Sequence, residues 1–326
     1  MLLPTRLTLW FLCLFVAPVV MLWFFLTQPT FASNPRSEVR VSPAALEGHV
    51  RMLSETFHPR TFRDLDNLNR TADYIAGKFK AAGATIRFQE FELLGNTYRN
   101  VIGTFGSGRD GLFVIGAHYD AHQRTPGADD NASGVAGLIE LAVLIGESSL
   151  KEQSIELVAY TLEEPPFFGG EDMGSYRHAQ LLHENATELK AMICLEMIGY
   201  FSDKDDSQEY PSKLLEAYYP NQGNFIAVIG NMKQIGLTRS IKKGMQGTTE
   251  LPVYSLNAPE AVAGVNFSDH RSYWSFGYKA AMITDTAFYR NPSYHQPTDT
   301  ADQLNYEKMA MVVIGLFEYL RTEPSP

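Results

Sequence analysis

The sequence predicts an α/β domain built on a mainly parallel sheet with an antiparallel edge and helices on its faces. Three observations carry this prediction. Short apolar runs alternate with longer segments of helical periodicity along most of the chain, the pattern of strand–helix crossover units. Two strand-like runs, 85–93 and 98–105, follow one another with no helix between them, which suits an antiparallel pair at a sheet edge. Several later runs end in, or lead to, a carboxylate or an imidazole, and the carboxyl ends of strands are where open α/β sheets collect ligands.

The elements follow in order. Arg6 precedes an uncharged stretch from Leu7 to Thr27, broken only by Pro18 and followed by the small residues Ala32 and Ser33. At about 1.5 Å per residue this stretch just spans a hydrocarbon core of about 30 Å. It is apolar on every face, which argues against a buried core helix. Residues 1–33 are therefore expected to be a signal peptide or an N-terminal membrane anchor. With Arg6 on the inner side, the remainder would be periplasmic, extracellular or tethered outside the cytoplasm. Residues 34–42 read as a polar linker and 43–323 as one folded domain.

Ser42-Pro43 places a capping serine before proline at the first helical position, so a helix is expected as far as Phe57. A second helix is expected from Leu65 to Ala82, with Leu68, Ala72, Ile75 and Phe79 on one stripe and Gly83 as its stop. The edge strands 85–93 and 98–105 come next, then a strand from Leu112 and a packed helix over 132–145. Further strands are expected at 155–162, 191–195, 225–230, 251–256 and from Ala280, with helices at 175–184, 234–245 and 303–320. The polar segment 201–223 is long for a connector and reads as a candidate lid.

Composition narrows the function. The chain has 326 residues, of which 45% are hydrophobic and 20% charged, enough for one large domain. Its formal net charge of -10, with lysine and arginine scattered, excludes a nucleic-acid backbone as the expected partner. Of the two cysteines, Cys13 lies in the apolar N-terminal stretch, so no intrachain disulfide is expected in the domain.

The segment GLFVIGAHYDAHQRTPGADDNASG, residues 111–134, is the chemical centre of the sequence. His118 and Asp120 stand two apart, so on extended backbone they share a face, and Asp120 can fix the tautomer of a ligating histidine. Asp130 is a hard donor able to divide its two oxygens between two cations. Downstream runs lead to Glu163-Glu164, to Glu196 and to His295. The set has no thiolate and too many carboxylates for one closed structural zinc site, which uses about four ligands. It suits two metals about 3.5 to 4 Å apart, with zinc favoured and manganese or cobalt as substitutes. If Glu163 and Glu164 stand on an extended strand end, one binds metal and the other faces the water between the metals.

The series GAHYDA, PGADDNASG, TLEEPPFFG, CLEMIGY, SDH and NPSYHQPTDT resembles the co-catalytic zinc aminopeptidases, the clan that also holds glutamate carboxypeptidases and glutaminyl cyclases. The resemblance extends over nearly all of the chain from Val41. It implies a central mixed sheet of about eight strands between helices and two zinc ions. His118 and Glu196 would hold the first, Glu164 and His295 the second, with Asp130 bridging. Glu163 would be the general base, Asp120 would orient His118, and the Asp130–Asn131 peptide bond would be cis. Asp269 and His270 would sit near the site, either touching substrate or forming a structural pair at a helix start. Glu196 stands where many members have aspartate, and Pro165-Pro166 replaces a more usual small-residue turn. The implied activity is removal of N-terminal residues from peptides with a free amine. A dipeptidase or carboxypeptidase would need a basic group for the substrate carboxylate, for which Arg271 and Arg290 are the candidates. Glutaminyl cyclase and a non-catalytic binding ectodomain are the remoter alternatives. Phe167, Phe168, Tyr200 and Phe201 are candidates for an apolar substrate pocket. The oligomeric state is not legible.

Overall fold

The computed structural model describes residues 12–30, 34–106 and 111–323. Eight strands form one sheet: β1 (Thr85–Leu93), β2 (Asn96–Phe105), β3 (Leu112–His118), β4 (Ile155–Tyr160), β5 (Leu189–Glu196), β6 (Ile226–Gly230), β7 (Val253–Asn257) and β8 (Ala280–Thr284). Their spatial order is β1-β2-β4-β3-β5-β8-β6-β7. The centre, β4-β3-β5-β8, is parallel, and β1 and β2 form the expected antiparallel edge. A second reversal was not legible in the sequence: β6 runs antiparallel to β8 and carries β7 parallel beside it.

Helices cover both faces, as the strand alternation requires. Phe113 and Ile115 of β3 point into the larger core with Leu157, Ile193 and Ile283. That core is closed by α2 (Pro43–Arg51), α3 (Leu65–Ala81), α4 (Gly134–Gly146), α6 (Ile235–Met245) and α8 (Tyr306–Thr322). Leu112 and Val114 point the other way, toward α5 (Gly174–Glu184) and the short α7 (His270–Ser275) through Ala179, Leu182 and Tyr273. The Ser42 hydroxyl accepts from the Ala45 amide at 3.2 Å, so α2 starts where Ser-Pro places it.

Within the N-terminal stretch, α1 (Ala17–Thr27) leaves Val19, Val20, Met21 and Phe24 exposed. Residues 1–11 and 31–33 of the expected export segment lie outside the described residues. Among the described residues no helix is long and apolar enough to cross a membrane. The end of α1 is tied to the domain: Lys242 Nζ donates to the carbonyls of Thr27 and Gln28 at 2.7 and 2.8 Å, and Ser255 donates to Gln28 Oε1 at 2.9 Å.

Candidate active site

The carboxyl edge of the parallel centre delivers the predicted residues together. His118 ends β3, Glu196 ends β5, Asp130 lies in the turn between β3 and α4, Glu163 and Glu164 follow β4, and His295 follows β8. All but His295 are buried, and the His295 side chain is 24% exposed, which marks the open side of the cluster.

The distances define two groups that share Asp130. In the first, His118 Nε2 lies 3.4 Å from Asp130 Oδ1 and 3.3 Å from Glu196 Oε2. In the second, His295 Nε2 lies 3.1 Å from Asp130 Oδ2 and 3.4 Å from Glu164 Oε2. A tetrahedral zinc with bonds of about 2.0 to 2.2 Å has ligand–ligand edges of about 3.3 to 3.6 Å, so both groups are cation-sized. Glu163 Oε2 is 3.8 Å from His118 Nε2. Glu164 Oε1 is buried without a hydrogen-bond partner, a costly state for a carboxylate oxygen that a cation would relieve.

The electrostatics agree. Burial raises the carboxyls of Glu163, Glu164 and Glu196 above their usual range, and mutual repulsion adds to it. Burial acts on Asp130 in the same sense but is outweighed by His118 and His295, so Asp130 falls below the usual range. Burial lowers His118, yet Glu163 and Glu196 hold it well above an ordinary histidine. This concentration of buried acid is a cradle for divalent cations.

Asp120 meets His118 Nδ1 as expected, more closely through its backbone than through its carboxylate. The His118 Nδ1–H donates to the backbone carbonyl of Asp120 at 3.1 Å, while the Asp120 carboxylate is 3.6 Å away. The tautomer that frees Nε2 is therefore set by Asp120's backbone. Its carboxylate instead accepts the amides of Glu163 at 3.1 Å and Glu164 at 3.0 Å. The glutamates stand on a turn beyond the end of β4 at Tyr160, not on extended strand. Leu162 (φ 59), Met197 (φ 48) and His295 (φ 57) hold left-handed backbone at or beside members of the cluster, strained conformations gathered at the site.

Asp299 repeats the device. Its two oxygens accept the amides of Asp129 and Asp130 at 2.9 and 3.1 Å. Asn131 donates to the Leu195 carbonyl at 2.9 Å and accepts from the Met197 amide at 3.1 Å, locking the Asp130 turn to the end of β5. The Asp130–Asn131 bond is cis, as the resemblance implies. Gly127 at φ 61 leaves no room for a side chain, since a Cβ would meet Asp130 O at 2.5 Å. Arg60 lies buried beneath, donating to the carbonyls of Tyr119, Leu53, Pro126 and Gly127.

Asp269 and His270 are fully buried, the placement expected of the structural pair at a helix start. His270 Nε2–H donates to the Val265 carbonyl at 2.8 Å, a structural bond at the start of α7. Their neighbour Ser268 reaches the site instead, donating to Glu196 Oε2 at 2.6 Å. Sequence reading also missed Asp299, Asn131, Arg60 and His122. Asp299 and Asn131 lie inside quoted motifs, a signal that could have found them. Arg60 gave none.

An apolar pocket adjoins the cluster, with Glu196 in its wall beside Phe225, Tyr254, Met282, Phe288 and Tyr294. The candidate lid forms part of it through Gln208, Tyr210 and Tyr219, and is pinned by Tyr219 Oη donating to the Ser255 carbonyl at 2.7 Å. Of the expected pocket residues, Phe168 backs the pocket wall through Phe267, while Phe167 packs against Phe62 and Phe201 beneath Arg290 and Lys308. Arg290 is itself buried, donating to Gln208 Oε1 and the Phe225 carbonyl at 2.8 and 2.9 Å.

The fold and the donor set define the class, an α/β metallohydrolase of the zinc-exopeptidase kind. The particular family follows from comparison: the model of peptidase family M28 matches residues 100–319, and the chain belongs to that family. An uncharacterized protein of Escherichia coli, YfbL, is 45% identical over 95% of this chain and 97% of its own length. Leucine aminopeptidase 1 of Fusarium vanettenii is 27% identical over 80% of this chain, which spans 66% of that relative. Among solved structures, LapA of Legionella shows the same fold, with a TM-score of 0.68 at 22% identity over 86% of this chain and 72% of that one. A glutaminyl cyclase of Bacteroides thetaiotaomicron does so with 0.65 at 18% identity over 88% and 99%.

Proposed function

We propose that this protein is a di-zinc aminopeptidase that removes apolar N-terminal residues from peptides with a free amine. The observation that carries the reading is the pair of donor groups joined through Asp130, with Glu163 beside them and bound to neither by hydrogen bond. His118, Glu196 and Asp130 would hold one zinc, and His295, Glu164 and Asp130 the other, with manganese or cobalt as substitutes. When bound, the two cations supply Lewis acidity at the scissile carbonyl and make water a better nucleophile at neutral pH.

The chain's own groups do the rest. Burial, with Glu196 and Asp269 nearby, raises the proton affinity of Glu163, so its carboxylate can take a proton from the attacking water and return it to the leaving amine. Asp120 keeps that carboxylate in place by holding its backbone amide. The adjoining apolar pocket suits the side chain of the N-terminal residue. The acid-rich surroundings favour a free ammonium over a blocked terminus. The name of the fungal leucine aminopeptidase supports the same activity. Of the two basic groups a carboxypeptidase could use, Arg290 is buried with Nε and Nη1 donating to Gln208 and Phe225, and Arg271 lies over the ring of Phe168, so neither favours that reading over the aminopeptidase. We also place the domain outside the cytoplasm, behind the apolar N-terminal stretch.

The test is metal content of the purified protein together with hydrolysis of aminoacyl and N-blocked aminoacyl amides. About two metals per chain and cleavage of free-amine substrates alone are expected. Cyclisation of N-terminal glutamine without hydrolysis would overturn the aminopeptidase reading in favour of the cyclase.

A further inference from the structure

We propose that His122 is a positioning residue for the second cation: it clamps His295 and Glu164 in their binding orientation without ligating the cation itself. This deepens the di-zinc reading and rests on it. His122 Nδ1 lies 3.3 Å from Glu164 Oε2, and with Glu164 ionised, as a cation ligand is, that oxygen accepts and the nitrogen donates. The bond takes one lone pair of Oε2, the oxygen 3.4 Å from His295 Nε2, and fixes the carboxylate so that Oε1, which has no hydrogen-bond partner, also faces the cation's place unpaired. The His122 ring also stacks on His295, with centroids 3.8 Å apart and planes 9° from parallel. Tyr294 stacks on His295 at 3.8 Å and 17°. Two rings that close and that nearly parallel to a third cannot share one face of it. His295 is therefore held between His122 and Tyr294, and its ring cannot turn without breaking a stack.

Donor atoms of His122, Glu164 and His295 lie within 4.8 Å of one another, so distance alone would allow His122 to be a ligand. Ring geometry decides against it. An imidazole lone pair lies in the ring plane, and stacked rings 9° from parallel with centroids 3.8 Å apart keep their lone pairs in two separate, nearly parallel planes. A cation between them would stand far out of both planes. The arrangement is instead that of an outer partner that fixes ligand orientation, whose loss typically costs about ten- to a hundredfold in metal affinity.

The test is calorimetric zinc titration of chelator-stripped protein in wild type, His122→Ala, His122→Phe and His122→Gln. Phenylalanine keeps a ring for the stack and loses the donor, and glutamine keeps a donor and loses the stack. The expected result is a loss of about ten- to a hundredfold at one of two sites in the alanine variant. The other site should stay within about twofold, which also shows that the variant is folded, and Phe and Gln should each recover part of the loss. Unchanged affinity at both sites overturns the proposal, as does equal loss at both. Cobalt loaded at the weakened site should keep its visible band positions in His122→Ala, and shifted bands would overturn positioning in favour of direct ligation. Wild-type protein that binds fewer than two zinc ions would remove the di-zinc reading itself, and the inference with it.

Discussion

Replacing Asp120 by asparagine tests how the glutamate pair is held. The change is nearly isosteric, and its effect follows from the two amides that the carboxylate accepts, Glu163 N at 3.1 Å and Glu164 N at 3.0 Å. Hydrogen bonds to a charged group contribute about 1.5 to 3 kcal/mol each. The asparagine carbonyl can keep one, as a neutral bond of about 1 kcal/mol, while its NH2 faces the other amide and leaves it unpaired at a cost of about 1 to 3 kcal/mol. The expected loss of stability is about 2 to 4 kcal/mol. An opposing effect exists in cation-free protein, because the substitution removes a negative charge from a crowd of buried acids. Urea unfolding is therefore measured with zinc at saturation, where that charge is balanced. Activity should fall about ten- to a hundredfold in the same variant as Glu163 and Glu164 lose their anchor. A stability change under about 0.5 kcal/mol with unchanged turnover would refute the anchoring role, since a buried unpaired amide cannot be that cheap.

Glu163→Gln should abolish hydrolysis and leave metal content intact, and retained turnover would remove Glu163 as the proton carrier. Stripping the protein with a chelator should lower its melting temperature, and zinc at about a hundredfold over its dissociation constant should restore about 2.7 kcal/mol per site; no thermal shift on adding zinc would mean that the acid cluster does not bind it. Burial holds His270 down at about 4 from an ordinary 6.5, so the unfolded chain takes up a proton that the folded chain does not. The stability from this histidine is complete above about pH 6.5 and is lost as pH falls toward 4, by about 3 kcal/mol in all. The stability gap between wild type and His270→Gln should narrow by that amount from pH 7 to 4, and parallel pH profiles would contradict the burial argument. Val262→Trp, at the wall of the apolar pocket, should lower kcat/KM for N-terminal leucine or phenylalanine by about tenfold or more and spare alanine; an equal effect on all three would show that the side chain binds elsewhere.

The sequence by itself determined the strands, the packed helices and the candidate ligand set, because each is a local signal. Apolar runs such as Leu112–Ile115 need only their own composition to become buried strands. Where such a run stops, the chain leaves the sheet at its carboxyl edge, so His118, Glu196 and the residues after β4 had to gather there. Tertiary structure decided which groups hold those ligands still. Asp120 and Asp299 each accept a pair of consecutive amides across long sequence separations, and local pattern, though it marks both as motif members, does not say which amides they accept. Ser268 rather than Asp269 or His270 meets Glu196, because the turn before α7 presents one side chain to the cluster and buries the other two. The reversal of β6 against β8 and the aromatic wall of the pocket arise the same way, from segments distant in sequence packing on one another. His122 is the sharpest case: its meaning lies in a stack with His295 that only the closed sheet brings within reach.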